Sequence, residues 1–162
     1  MNELTSSVKT NAIRLVESAG IPHRIIPYEY DEDNLDALSV AVKLGVPGEQ
    51  VFKTLVTRNE HDMIFIICIP GTGSINFKKA AKITGSKKID MIAVKELLPL
   101  TGYVRGGCSP IGMKKKYPLY VDELAGVFDS IFISAGIKGL QIEIAPDDLL
   151  RICDGTLADL TG

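Results

Sequence analysis

The apolar positions change their period several times along the chain, and each change marks an element. Val8, Ala12, Leu15, Val16 and Ala19 recur at helical spacing with Gly20 as a stop, which predicts an amphipathic helix from about Ser6 to Ala19. His23 to Tyr30 is rich in β-branched and aromatic residues, and Pro27 restricts this strand to an edge or a bulge. Leu35, Leu38, Val42 and Leu44, closed by Gly45, predict a second helix, after which Gly45-Val46-Pro47-Gly48 breaks the chain. Val51 to Arg58 and Met63 to Ile69 flank Asn59-Glu60-His61-Asp62, the pattern of a hairpin.

Further on, Ile75 to Ile83 reads as a lysine-bearing helix, Lys88 to Ile92 as a short strand and Val94 to Leu98 as a helical turn ended by Pro99. Tyr117 to Val121, Ser130 to Ser134 and Leu140 to Ala145 read as strands, the last with Leu140, Ile142 and Ile144 alternating against Gln141 and Glu143. Pro146, Asp147 and Asp148 open a final helix, with proline at its first position, acid in its first turn and Gly155 beyond its end. Several strand pairs have links too short for a crossover helix. A mixed α/β fold of the α+β kind, a mixed sheet or barrel flanked by helices, therefore fits better than a doubly wound parallel sheet. The 162 residues suit a single domain, 1–162, without repeat, low-complexity tract or linker.

Composition narrows the function classes. No apolar run is long enough to span a bilayer and Met1 to Ser7 lack the pattern of a secretory signal, so a soluble cytoplasmic protein is expected. Cys68, Cys108 and Cys153 lie far apart and form no C-x-x-C, which points to reduced thiols. His23 and His61 have no ligand spacing and no triad partners, so neither a metal centre nor histidine-based nucleophilic catalysis is indicated. A net charge of −2 speaks against broad nucleic-acid affinity. Lys78, Lys79, Lys82, Lys87 and Lys88 nevertheless cluster, as do Lys114, Lys115 and Lys116, while Asp31, Glu32, Asp33 and Asp36 concentrate acid elsewhere. A local basic surface and a solvated helix face both fit these runs.

The stretch GYVRGGCSPIGMKKK, Gly102 to Lys116, admits three readings: a cysteine nucleophile in a tight loop, a phosphate cradle, or a flexible loop beside solvated lysines. Cys108 would need a base or a cationic neighbour to ionise, and Arg105 is the nearby candidate. Gly71-Thr72-Gly73-Ser74 lacks the third glycine of a dinucleotide fingerprint and reads as a turn. In Val51-Phe52-Lys53-Thr54-Leu55-Val56, strand alternation sets Val51, Lys53 and Leu55 on one face and Phe52, Thr54 and Val56 on the other, both largely apolar. A strand covered on both sides would force Lys53 inward, where an ammonium needs a partner or a task; an edge strand would leave it in solvent.

Three motifs taken in order, Val51-Phe52-Lys53-Thr54-Leu55, the glycine-rich Gly102 to Gly112 and Ser134-Ala135-Gly136-Ile137-Lys138-Gly139-Leu140, resemble the YbaK/EbsC family of aminoacyl-tRNA deacylases. The resemblance runs over nearly the whole chain. It implies a mixed β-barrel surrounded by helices, like the editing domain inserted in bacterial prolyl-tRNA synthetases. Its YbaK branch removes cysteine wrongly attached to tRNA(Pro), which makes Cys-tRNA(Pro) the leading substrate, with Cys-tRNA(Cys) beside it. Ala-tRNA(Pro) deacylation and a non-catalytic tRNA-end or synthetase-binding regulator are the alternatives.

Carried over by motif, Lys53 corresponds to the family's essential lysine and Gly106 supplies a backbone group near the scissile ester. Tyr28, Thr54, Tyr103, Gly107, Ser109, Ser134 and Gln141 fall at substrate-binding positions, with Gln141 standing where some members carry aspartate. Cys108 is not required by the glycine motif. The resemblance further implies no metal or cofactor, the acceptor end of tRNA(Pro) as ligand, prolyl-tRNA synthetase as a transient partner, and neither membrane nor DNA binding. Lys78, Lys79, Lys114, Lys115 and Lys116, with Lys82, would face acceptor-stem phosphates. An aminoacyl-tRNA ester is already activated, so its hydrolysis needs placement and charge stabilisation more than a strong protein nucleophile. Glycines let the backbone come close to such an ester.

Overall fold

The computed structural model describes residues 9–162, and its first three helices begin where a side chain takes up a free amide. Helix α1, Asn11–Ser18, starts at Thr10, whose Oγ1 accepts from the Ile13 amide at 3.1 Å and donates to the Ala135 carbonyl. The first residues of the expected helix, up to Val8, lie outside the described residues. Helix α2, Ala37–Leu44, is capped by Asp36, and α3, Phe77–Thr84, by Asn76; they end at Gly45 and Gly85, both left-handed, with φ of 71° and 69°. Helix α4, Leu97–Thr101, runs through Pro99 where the sequence predicted a stop. Pro99 falls in its first turn, where an amide needs no intrahelical acceptor. Helix α5, Pro146–Cys153, follows the sequence pattern.

The strands form two sheets. In the first, β1 (His23–Pro27), β6 (Ile131–Ser134) and β7 (Leu140–Ile144) pair antiparallel in the order β1-β7-β6, which puts the proline-bearing strand on the expected edge. In the second, β2 (Phe52–Asn59), β3 (Ile64–Pro70), β4 (Ile89–Met91), β5 (Leu119–Asp122) and β8 (Thr156–Ala158) are ordered β4-β2-β3-β5-β8. The predicted hairpin is β2–β3. Asn59 braces its turn, the side-chain carbonyl accepting from the amides of His61 at 2.9 Å and Met63 at 3.0 Å. Strands β5 and β8 extend the sheet in parallel.

The mixed α/β reading holds, but the barrel stays open. Strand β4 covers only Thr57–Asn59 of β2, and a single parallel bridge from Val51 to Phe132 joins the two sheets. Phe52 and Val56 of β2 enter the main buried cluster with Ile66, Ile133 and Ile142, while Leu55 packs on the opposite face with Ile67 and Ile69. Both faces of the hairpin are thus covered, as its apolar pattern requires. Burying each such side chain contributes about 1.5–3 kcal/mol. A third cluster, Val40, Ala41, Val51 and Phe132, seats α2 against the junction of the sheets.

Candidate active site

The junction leaves a cavity of ≈ 480 Å³, walled by the first turn of α2, the start of β2, the glycine loop, Ser134 and Gln141. Lys53, Thr54, Gly106, Arg105 and Cys108 all line it. Lys53 stands opposite Ile69 in the register and is half-buried, because β4 leaves this part of β2 uncovered. It is neither enclosed nor fully in solvent. Among the described residues its ammonium has no carboxylate partner, and the only carboxylate lining the cavity, Asp36, is already committed. Asp36 accepts from the Ser39 hydroxyl at 2.7 Å and its amide at 3.2 Å, and these bonds hold its carboxyl below the usual range.

Gly106 has φ +86, and a β-carbon there would lie 3.0 Å from Leu35 Cδ1. Only glycine keeps this wall open while holding that conformation. Among the described residues nothing in the protein accepts its N–H. Thr54 Oγ1 rests 3.7 Å from Cys68 Sγ, and Ser134 Oγ accepts from the Gly136 amide at 3.1 Å. Gln141 is buried with Oε1 unpartnered.

Four of the expected substrate-binding residues stand elsewhere. Tyr103 is buried and its hydroxyl donates to the Ile111 carbonyl at 2.6 Å, while Ser109 is fully buried and accepts from the Ile111 amide at 3.2 Å. Both brace the glycine loop and neither lines the cavity. Gly107 lies against Ile137, whose Cα would be 2.9 Å from an added β-carbon, so its role is packing. Tyr28 packs with Val40, Val51 and Phe132, behind the cavity lining.

The lysines expected at acceptor-stem phosphates are not part of this cavity. Lys115 and Lys116 line a separate one of ≈ 520 Å³ between α1, the loop and α5. Lys116 pairs with Asp154 at 3.5 Å and Lys114 reaches the Pro99 carbonyl at 3.5 Å. Lys79 is tied to Asp159 at 2.9 Å and to the Thr161 carbonyl at 2.7 Å, while Lys78 is exposed.

The thiols are poor nucleophiles here. Burial pushes Cys108 up to about 11 and Cys68 and Cys153 up to about 12, so all three keep their protons near neutral pH. What the cavity offers is cationic charge from Lys53 and Arg105, a free backbone N–H and a bare amide. Such a set can hold a polar acyl group and stabilise negative charge developing on it. Sequence reasoning missed Leu35 and Asp36 as wall residues, although Asp-x-x-Ser is a readable capping pattern.

The aminoacyl-tRNA editing domain family matches residues 31–152. An Enterococcus faecalis protein named "Putative Cys-tRNA(Pro)/Cys-tRNA(Cys) deacylase EbsC" is 44% identical over 153 residues, covering 94% of this chain and 93% of that one. A crystal structure of a hypothetical protein superposes with a TM-score of 0.86 at 20% identity, covering 94% of this chain and all (100%) of the other. That of "a putative trans-editing enzyme for prolyl tRNA synthetase" superposes at 0.82 with 23% identity, covering 96% and 99%. These last two share the fold; the family match and the enterococcal relative carry the assignment, and on them the chain belongs to the aminoacyl-tRNA editing domain family.

Proposed function

We propose that the protein is a trans-acting aminoacyl-tRNA deacylase that clears Cys-tRNA(Pro), and Cys-tRNA(Cys) with it, in the cytoplasm. The observation that carries this reading is that Lys53 and the Gly106 N–H, both without a partner among the described residues, share a cavity, in a family whose enterococcal member is named for this substrate. The cavity supplies no ionised thiol and no histidine as nucleophile or base. The attacking group then comes from water or from the substrate, and the resemblance to the Cys-tRNA(Pro) branch favours the substrate's own thiol. Free cysteine, with a pKa of about 8.5, is a few per cent thiolate near neutral pH.

In this mechanism the substrate sulfur attacks its own ester carbonyl. A carbon–sulfur bond forms, the carbon–oxygen bond to the ribose breaks, and the ribose oxygen takes the proton that the thiol gave up. The product is a strained cyclic thiolactone that later hydrolyses. Lys53 and the Gly106 N–H stabilise the oxyanion and hold the near-attack geometry. Exposed Lys78, Lys114, Lys115 and Lys116, with Lys79, would meet acceptor-stem phosphates. Few such contacts give modest affinity, which suits a transient association with prolyl-tRNA synthetase.

Deacylation of Cys-, Ser- and Ala-tRNA(Pro) at equal enzyme concentration tests the reading. Cysteinyl ester should be cleared much faster than seryl ester. Comparable rates for the two would rule out thiol assistance, preference for the alanyl ester would redirect the substrate assignment, and tRNA binding without turnover would make the protein a regulator.

A further inference from the structure

Gln141 carries an acceptor with nothing to accept. The residue is 5% exposed, lines the cavity, and is held by backbone pairing to Ile26 on one side and Ser134 on the other, yet Oε1 meets no donor. Leaving a buried acceptor bare costs about 1–3 kcal/mol. Turning the terminal amide would bring this oxygen to the cavity side, where a ligand donor would remove that cost.

The charges lining this cavity are net positive: Lys53 on β2 and Arg105 on the loop are cations, against the single carboxylate of Asp36 on α2, whose oxygens already accept from Ser39. Cys108 is kept protonated by burial. Beyond the lining, Glu143 on β7 is taken by Arg24 at 3.1 Å and Ser130 at 2.7 Å, and Glu32 by Lys138 at 3.0 Å. An α-nitrogen bearing a positive charge would add to this net positive lining, where the one carboxylate already accepts from Ser39. An uncharged nitrogen meets no such penalty. A carboxamide also offers donor and acceptor together, which a carboxylate cannot, and so matches the N–H and C=O of an N-acyl group.

We propose that the cavity selects aminoacyl esters whose α-nitrogen is uncharged, and that the protein therefore also releases N-acylated aminoacyl groups from tRNA, with Gln141 as the residue that pairs with that nitrogen or its acyl group. This rests on the deacylase reading. The bond accounting is unchanged: the nucleophile bonds to the carbonyl carbon, the bond to the ribose oxygen breaks, and that oxygen receives the nucleophile's proton.

The test uses the full chain with cysteinyl-tRNA(Pro) and N-acetylcysteinyl-tRNA(Pro) at pH 6 and pH 8.5, each corrected for enzyme-free loss. The thiol ionises differently beside an amine and an amide, so each kcat/KM is divided by the enzyme-free rate of the same ester at the same pH, and the ratio of these quotients, acetylated over free, isolates the nitrogen. The acetylated ester should be released, and the ratio should fall about fortyfold between the two pH values as an amine of ordinary pKa about 7.7 loses its proton. Gln141→Glu should turn the preference at pH 6 toward the free amine, and Gln141→Met should lower kcat/KM for the acetylated ester; circular dichroism checks both folds, and if neither variant folds the two wild-type ratios decide. Release of the cysteinyl ester alone, or a ratio equal at both pH values, overturns the inference while leaving the deacylase intact. Release of neither ester overturns both.

Discussion

Lys53 faces Ile69 across the β2–β3 hairpin, a lysine paired with a fully buried isoleucine. Lys53 is half-buried and lines the cavity, a position in which its aliphatic stem can lie on apolar surface with the ammonium at the edge. Lys53→Ala should therefore cut deacylation a hundredfold or more, about 3–4 kcal/mol of transition-state stabilisation, with the fold unchanged by circular dichroism. Single-turnover rates check this, and near wild-type turnover would remove Lys53 from the mechanism.

Cys108→Ala should keep turnover close to that of the parent. Its thiol lines the cavity but is held protonated, with a pKa near 11. Mass spectrometry of the enzyme under turnover should find no acyl adduct on Cys108, and trapping one would reverse this assignment.

Replacing Lys114, Lys115 and Lys116 together by glutamine should raise KM for tRNA and flatten its salt dependence, with little change in kcat. All three are exposed, and the Lys116–Asp154 pair is a surface pair worth under about 1 kcal/mol. An unchanged slope of log KM against log salt would show that these lysines only solvate the loop.

Gly107→Ala should destabilise the protein by about 1–3 kcal/mol, because the new methyl meets three backbone atoms of Ile137 and Lys138 at 2.9–3.2 Å and no rotamer can relieve it. Gly126→Ala is the control: its nearest neighbour would be Leu157 Cδ1 at 3.9 Å. Urea midpoints should separate the two.

Asp36→Ala should remove the cap of α2 and about 1 kcal/mol of stability at pH 7. The Asp36 pKa is lowered by folding, so its contribution is complete above the ordinary value of 3.8 and is lost as pH falls through the folded value. The gap between wild type and variant in urea denaturation should narrow as pH falls below 3.8; a constant gap would show that the cap does not act through the charge.

Most elements were legible because their signals are local. Helix caps, the hairpin turn and the alternation in β7 each reside within a few residues. Strand β8 was not, since Thr156–Ala158 is three residues long and exists through parallel pairing with β5, a partner far away in sequence. Lys53 could be placed on a face but not given a burial, because that depends on how little of β2 the strand β4 covers. Tyr103 and Ser109 share a motif with Gly106, yet only the course of the loop shows that they turn inward to Ile111. The wall at Leu35 and Asp36 arises where α2 meets the loop, and no pattern confined to either segment announces it.

The Asn59 turn reaches further than its surface position suggests. Side chains alternate along β2, so a shift of one residue against β3 would exchange Lys53 for Thr54, turning the ammonium toward Cys68 and the main core. Asn59 indexes that parity from roughly 20 Å along the strand. The length of a solvent-exposed bend is thereby constrained by chemistry it never touches: its residues can vary so long as the bend is braced, but an odd change in spacing that slid the strands would leave a folded sheet without its cation at the site.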